Sequence, residues 1–250
     1  GATARVSTVL LEQSVAVLPT WLTASILAAG WSCFLIRVVL VRPKLAVDHA
    51  GNAFLGLNLV YPTLRESWVQ DSLLAGVRLS DIRILQQCAA AAGGAALLIM
   101  ISLALFKRWR LTPLRLVCPV VGATAVLWAV IVWTSLPTRS RNIAIEQMVG
   151  DWRVAVQLTA FCISYPIAEA VILVALWHIK RSNTGNRPLR LFLFGAGVSA
   201  IAVSLLDTGS RITGGILLSA GIENGLTERS ALQADLVLYP PVLPVSFTHL

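Results

Sequence analysis

Charge is scarce in this chain. Only 13% of its 250 residues are Asp, Glu, Lys or Arg, against roughly 25% in an ordinary soluble domain. With 56% hydrophobic residues and a mean hydropathy of +0.76, that scarcity argues against a globule in water, which would leave much apolar surface wet. Cysteine is rare too. Cys33, Cys88, Cys118 and Cys162 all lie inside apolar runs and form no CxxC pair. This argues against a disulfide framework or a structural zinc site. Catalytic signatures are missing: there is no HExxH, the histidines His49, His178 and His249 are scattered, and Ser210 after Gly209 has no base beside it. The run GAGVSA at 195–200 has the spacing of a dinucleotide fingerprint but sits in an apolar stretch, without the preceding strand that such a site needs. No enzyme activity, cofactor or metal is expected.

What the chain has is long uncharged runs. Between Glu12 and Arg37 lie 24 residues without a charge, between Arg83 and Lys107 another 23, and between Arg115 and Arg139 a further 23. Each can cross a hydrocarbon core of roughly 30 Å as a helix. The expected fold is therefore all-α: a polytopic integral membrane bundle of about seven transmembrane helices in one domain. The expected spans are 17–37, 49–64, 84–106, 116–136, 154–179, 191–212 and 232–250. The second is short, with 16 residues between Asp48 and Arg65, and the last is broken by Pro240, Pro241 and Pro244. The segments 65–81 and 137–153 are near-neutral, and each has room for a short amphipathic helix.

Charge asymmetry sets an expected orientation. The odd-numbered connections, including Arg37, Arg42, Lys44, Lys107, Arg108, Arg110, Arg115, Lys180, Arg181, Arg187 and Arg190, carry eleven basic residues and one acid, Asp48. Lys and Arg are retained on the cytoplasmic side, so the N-terminus is expected outside and these connections inside the cell membrane. The net charge of +8 then reflects short inner loops that face anionic lipids or an acidic protein partner. It does not point to a nucleic-acid surface.

A few polar residues interrupt the apolar runs. Glu169 lies about ten residues from the inner end of span five, roughly 15 Å deep at 1.5 Å per residue. Acids at that depth face a cavity or a partner. Tyr165, one turn away, is positioned to hydrogen-bond it, and Pro166 loosens the helix between them. Asp207 and Arg211 are an i, i+4 pair on span six, a gate or an ion pair closing the helix end. Asn58, Tyr61, Gln86, Gln87 and Gln157 fall in outer halves, where they either line a vestibule or hold helices together. A two-carboxylate protease needs acids at one depth, whereas Glu169 and Asp207 differ by roughly 10 Å at the same rise per residue. The small-residue run Ala89–Ala96 marks span three as the central helix, and Gly195 with Ser199 suggests a second packing seam on span six.

Three stretches carry a family resemblance: RVVLVRPKLAVDHAGNAFLGLNLVYP, VRLSDIRILQQCAAAAGGAALL, and ISYPIAEAVILVALWHIKRSNTGNRPLRLFLFGAGVSAIAVSLLD. From Ser25 to about Ile212 the chain resembles a family of actinobacterial seven-helix membrane proteins catalogued as transporters, with a region of unknown function. The resemblance implies a multi-pass membrane protein but no substrate and no site residues. Members of that family continue past the seventh span into a cytoplasmic region, and the proline-rich end here departs from their pattern. Three roles follow as expectations: a small-solute transporter with Glu169 as coupling or substrate residue and Asp207/Arg211 as outer gate; a seven-helix sensor whose basic loops contact a partner; or a structural subunit of a membrane complex.

Overall fold

The computed structural model describes residues 19–40, 45–72, 74–105, 113–143, 145–181 and 187–226. These residues form no strand. The helices are α1 (Thr20–Leu40), α2 (Ala46–Thr63), α3 (Ser67–Ser72), α4 (Leu79–Leu105), α5 (Pro113–Thr134), α6 (Leu136–Arg141), α7 (Trp152–Cys162), α8 (Ser164–Arg181) and α9 (Arg187–Ser219). Among the described residues five stretches are long and apolar enough to cross a membrane: Thr20–Val39, Leu79–Ala104, Leu114–Arg141, Trp152–Trp177 and Gly197–Ser219.

The helix ends explain most shifts from the expected spans. α2 begins at Ala46, before the expected 49, because the Asp48 carboxylate accepts from the Leu45 N–H and closes the first turn. Its 18 residues place it in the bundle, yet it is not among the five most apolar stretches. The fifth span is two helices, divided at Ile163. Asp151 starts α7 by accepting from the Arg153 N–H at 2.9 Å. Pro166, in the first turn of α8, has no N–H to give to the Cys162 carbonyl. The Ile167 N–H reaches the Ile163 carbonyl only at 3.5 Å. α9 extends past the expected boundary at 212 to Ser219, since the Asp207–Arg211 pair lies within a continuous helix. The short helices α3 and α6 fall in or at the edge of the two near-neutral segments, 65–81 and 137–153. The expected seventh span, 232–250, lies outside the described residues.

Tertiary contacts order the connections by end. At one end Thr23 donates to the Glu66 carboxylate at 2.7 Å and Gln86 to the Leu64 carbonyl at 2.9 Å. There too Arg139 pairs with Asp81 at 2.7 Å, Trp133 meets Trp152, and the Gly150 N–H donates to the Leu218 carbonyl. At the other end Arg37 donates to Asn52, and Gly197 faces Leu176. The chain therefore alternates end to end, and α1, α4 and α8 all finish at the same end.

α4 is the central helix, in contact with α2, α5, α6, α7 and α8. Its small-residue run is buried at Ala89, Ala90, Ala91, Ala95 and Ala96. Without a hydrophobic drive between helices in lipid, such small side chains let backbones approach and gain van der Waals contact. The expected seam at Gly195 and Ser199 is not one: both are exposed. α9 uses Gly197 against Leu176 and Gly215 against Leu158 instead. The helix face, set by the 3.6-residue period, selects these glycines over Gly195.

Candidate functional site: a polar cavity inside the bundle

Five helices line a cavity of about 60 Å³. α9 supplies Ser204, Asp207, Thr208 and Arg211, spaced to lie on one helical face. α2 supplies Asn58 and Tyr61, one turn apart. Phe161 and Cys162 close α7, Tyr165 opens α8, and Ala90 on α4 forms the floor. Phe161, Cys162 and Tyr165 are spaced i, i+1 and i+4 across the Ile163 junction, so they fall on one side and form one wall.

The cavity is organised by an ion pair and three aromatic rings. Arg211 Nε donates to Asp207 Oδ2 at 3.1 Å, and the two side chains are only 11% and 23% exposed. The guanidinium sits 5.7 Å from the Phe161 ring centroid, and that ring stacks on Tyr61 at 6.2 Å. Arg65 approaches Tyr61 at 6.0 Å. The Tyr165 hydroxyl donates to Asn58 Oδ1 at 3.2 Å, while Asn58 Nδ2 donates to the Phe54 carbonyl at 2.8 Å. Asp207 Oδ1 is buried and has no hydrogen-bond partner.

Glu169 is 4% exposed and lies beside this cavity. Its partner is not Tyr165, as expected from helical spacing, but Ser204, whose side chain hydrogen-bonds the carboxyl. Tyr165 points across the bundle instead, over Gly93, where a side chain would collide with both Tyr165 and Asn58. The other carboxyl oxygen, Oε2, is buried without a partner. Ser204 precedes Asp207 by three residues, so the acids sit about one turn apart in register, closer than the depth count from helix ends implies.

No protein-family model, curated protein or solved structure matches the chain. Its chemistry therefore rests on these residues alone. Of the polar positions expected from sequence, Asn58, Tyr61, Tyr165, Asp207 and Arg211 converge on the cavity. Gln86, Gln87 and Gln157 do not line it. Gln86 secures the Leu64 carbonyl, and Gln157 donates to Gln87 Oε1 at 2.8 Å across α7 and α4. They join helices.

Sequence reasoning missed Ser204, Thr208 and Phe161, which look like any helix-interior residue until α9 and α7 are set against α2. It also missed Arg65 and Glu66, 6% and 1% exposed, at the start of the near-neutral segment 65–81. Glu66 is covered by α1 through Thr23. Ser210 is turned toward the Leu206 carbonyl, away from the cavity residues. Among the described residues no group of three His, Cys, Asp or Glu is placed to hold a metal.

Proposed function

We propose that the chain is a multi-pass cell-membrane protein that binds and conducts a small, uncharged, hydrogen-bonding solute through the cavity between α2, α7, α8 and α9. The observation that carries this reading is the largely buried Asp207–Arg211 ion pair set on the wall of a polar cavity. The opposite charges cancel, so an ionic solute gains little net Coulomb energy there, whereas a neutral solute is met by the polar side chains of Asn58, Tyr61 and Thr208 on the same walls. A water occupies at least 10–15 Å³ of such volume, so 60 Å³ holds about four to six non-hydrogen atoms. Urea-sized amides and short polyols have that size and chemistry, and the rings of Tyr61, Phe161 and Tyr165 offer flat apolar faces to their carbon skeletons.

The N-terminus is placed outside in this proposal, with the Lys- and Arg-rich connections on the cytoplasmic side. Exposed Trp21, Trp68, Trp133 and Trp152 gather at the end opposite those connections, as an interfacial aromatic belt does. Kinship with the seven-helix transporter family and a seventh span over 232–250 belong to the same proposal.

The test is osmotic. Proteoliposomes holding the purified chain are mixed with urea or glycerol gradients, and volume recovery is followed by light scattering. Recovery faster than in protein-free vesicles is expected, and Asp207→Asn lowers it about tenfold, the effect of losing roughly 1.4 kcal/mol of stabilisation. Wild-type recovery equal to that of empty vesicles for both solutes would remove the reading.

A further inference from the structure

Glu169 is the one acid on α8, and the solute-binding wall just described does not use it. Its position is nevertheless connected to that wall. Ser204 lines the cavity and hydrogen-bonds the Glu169 carboxyl, whose second oxygen is buried and free. An ionised carboxylate without full partners is costly inside a membrane, and such acids mark ion or proton pathways. A carboxyl with one oxygen bridged by a hydroxyl to a polar cavity, and the other sealed from it, has the layout of a proton-binding dead end with a single door.

We infer that Glu169 is a proton-binding site loaded from the cavity through the Ser204 hydroxyl. Loading needs no co-reactant. Ser204 Oγ accepts a proton from a hydronium ion in the cavity, which is left as water, and passes its own hydroxyl proton to the Glu169 carboxylate. One O–H bond forms and one breaks at the serine, and the charge on Glu169 is neutralised. Unloading reverses each step.

The ionisable surroundings are few. Tyr165 precedes Glu169 by one turn on α8, but its hydroxyl is engaged by Asn58. α9 contributes Asp207 and Arg211 beyond Ser204, paired to each other. α7 contributes Cys162 at the cavity wall. α4 presents Gly93 and Gly94 to α8, neither of which can carry a proton. Ser204 is thus the group on α9 placed to move a proton between Glu169 and the cavity.

This inference rests on the cavity reading for its purpose, namely coupling solute passage to protons, but not for its test. The protein is reconstituted in lipid and exchanged into D₂O while its protonated-carboxyl infrared band is followed. The part of the band absent in Glu169→Gln reports on this side chain. It is expected to titrate, to exchange readily in the wild type, to exchange about tenfold more slowly in Ser204→Ala, and to recover in Ser204→Thr, which keeps the hydroxyl. Unchanged exchange in Ser204→Ala, or a Glu169 band that neither titrates nor exchanges, overturns the inference. In dye-loaded vesicles, solute flux without any proton movement overturns the coupling while leaving the solute reading intact. Serine-dependent exchange without solute flux removes the solute reading and leaves the proton site intact.

Discussion

At Gly94 a methyl group would overlap the Ser164 side chain, with Cβ only 2.8 Å from Ser164 Cβ and 3.2 Å from the backbone carbonyl carbon. The backbone cannot yield as a flexible side chain would, so Gly94→Ala must push α4 and α8 apart. Overpacking of this kind costs about 1–3 kcal/mol, and a lower unfolding midpoint in detergent is expected. A midpoint at the wild-type value would show that the two helices are not in contact here. Gly122, which faces open space, is the matched control. At this scale the sequence was readable where a residue stood out chemically: Glu169, Asp207 and Arg211 are conspicuous because charge is rare in apolar runs. Ser204 and Thr208 were not, because a hydroxyl in a membrane helix most often bonds its own backbone, as Ser210 and Thr124 do here. The expected Tyr165–Glu169 bond failed for a related reason. Spacing on one helix tells which side chains are neighbours, but the gap at Gly93 on another helix decided which way the tyrosine turned.

Among the elements, the α7–α8 break is the feature most exposed to a single substitution. Pro166 removes a backbone donor at the point where Phe161, Cys162 and Tyr165 must all face one cavity. Pro166→Ala restores that donor. Amide exchange over residues 163–169 is expected to slow by about tenfold, the effect of one restored hydrogen bond of roughly 1.4 kcal/mol. The same variant draws Tyr165 out of line with Asn58. Exchange that stays as fast as in the wild type would assign the break to tertiary packing instead. Helix existence was plain from uncharged length, whereas helix ends were not. α2 starts at its Asp48 cap and α9 runs through an internal ion pair, so counting between charges misplaced both boundaries.

For the whole molecule, the alternation of helices is carried by contacts at both ends of the bundle, while the side of the membrane each end faces is the proposal made above. In a background where Cys33, Cys88, Cys118 and Cys162 are replaced, a membrane-impermeant maleimide added to intact cells is expected to label Ser140→Cys. Arg115→Cys should react only after permeabilisation. The opposite pattern would invert the orientation without altering the fold. The bundle order was foreseeable only in part. The Ala89–Ala96 run marked α4 as central because small residues have little other use in lipid. No pattern in the sequence marked which helix would stay at the periphery.

α5 is one of the peripheral helices, as is α1. A stripe of Val120, Thr124, Leu127, Val130, Ile131 and Thr134 turns inward, while Val121, Ala125, Val126 and Val132 face outward. Since hydrocarbon chains accept almost any oily side chain equally, the outward positions are free to drift between valine, leucine, isoleucine and phenylalanine over evolutionary time. The inward stripe is held by its neighbours' shapes. α5 should therefore show two substitution tempos along one helix, alternating every three to four residues, and the slow positions would trace its line of attachment to the rest of the bundle.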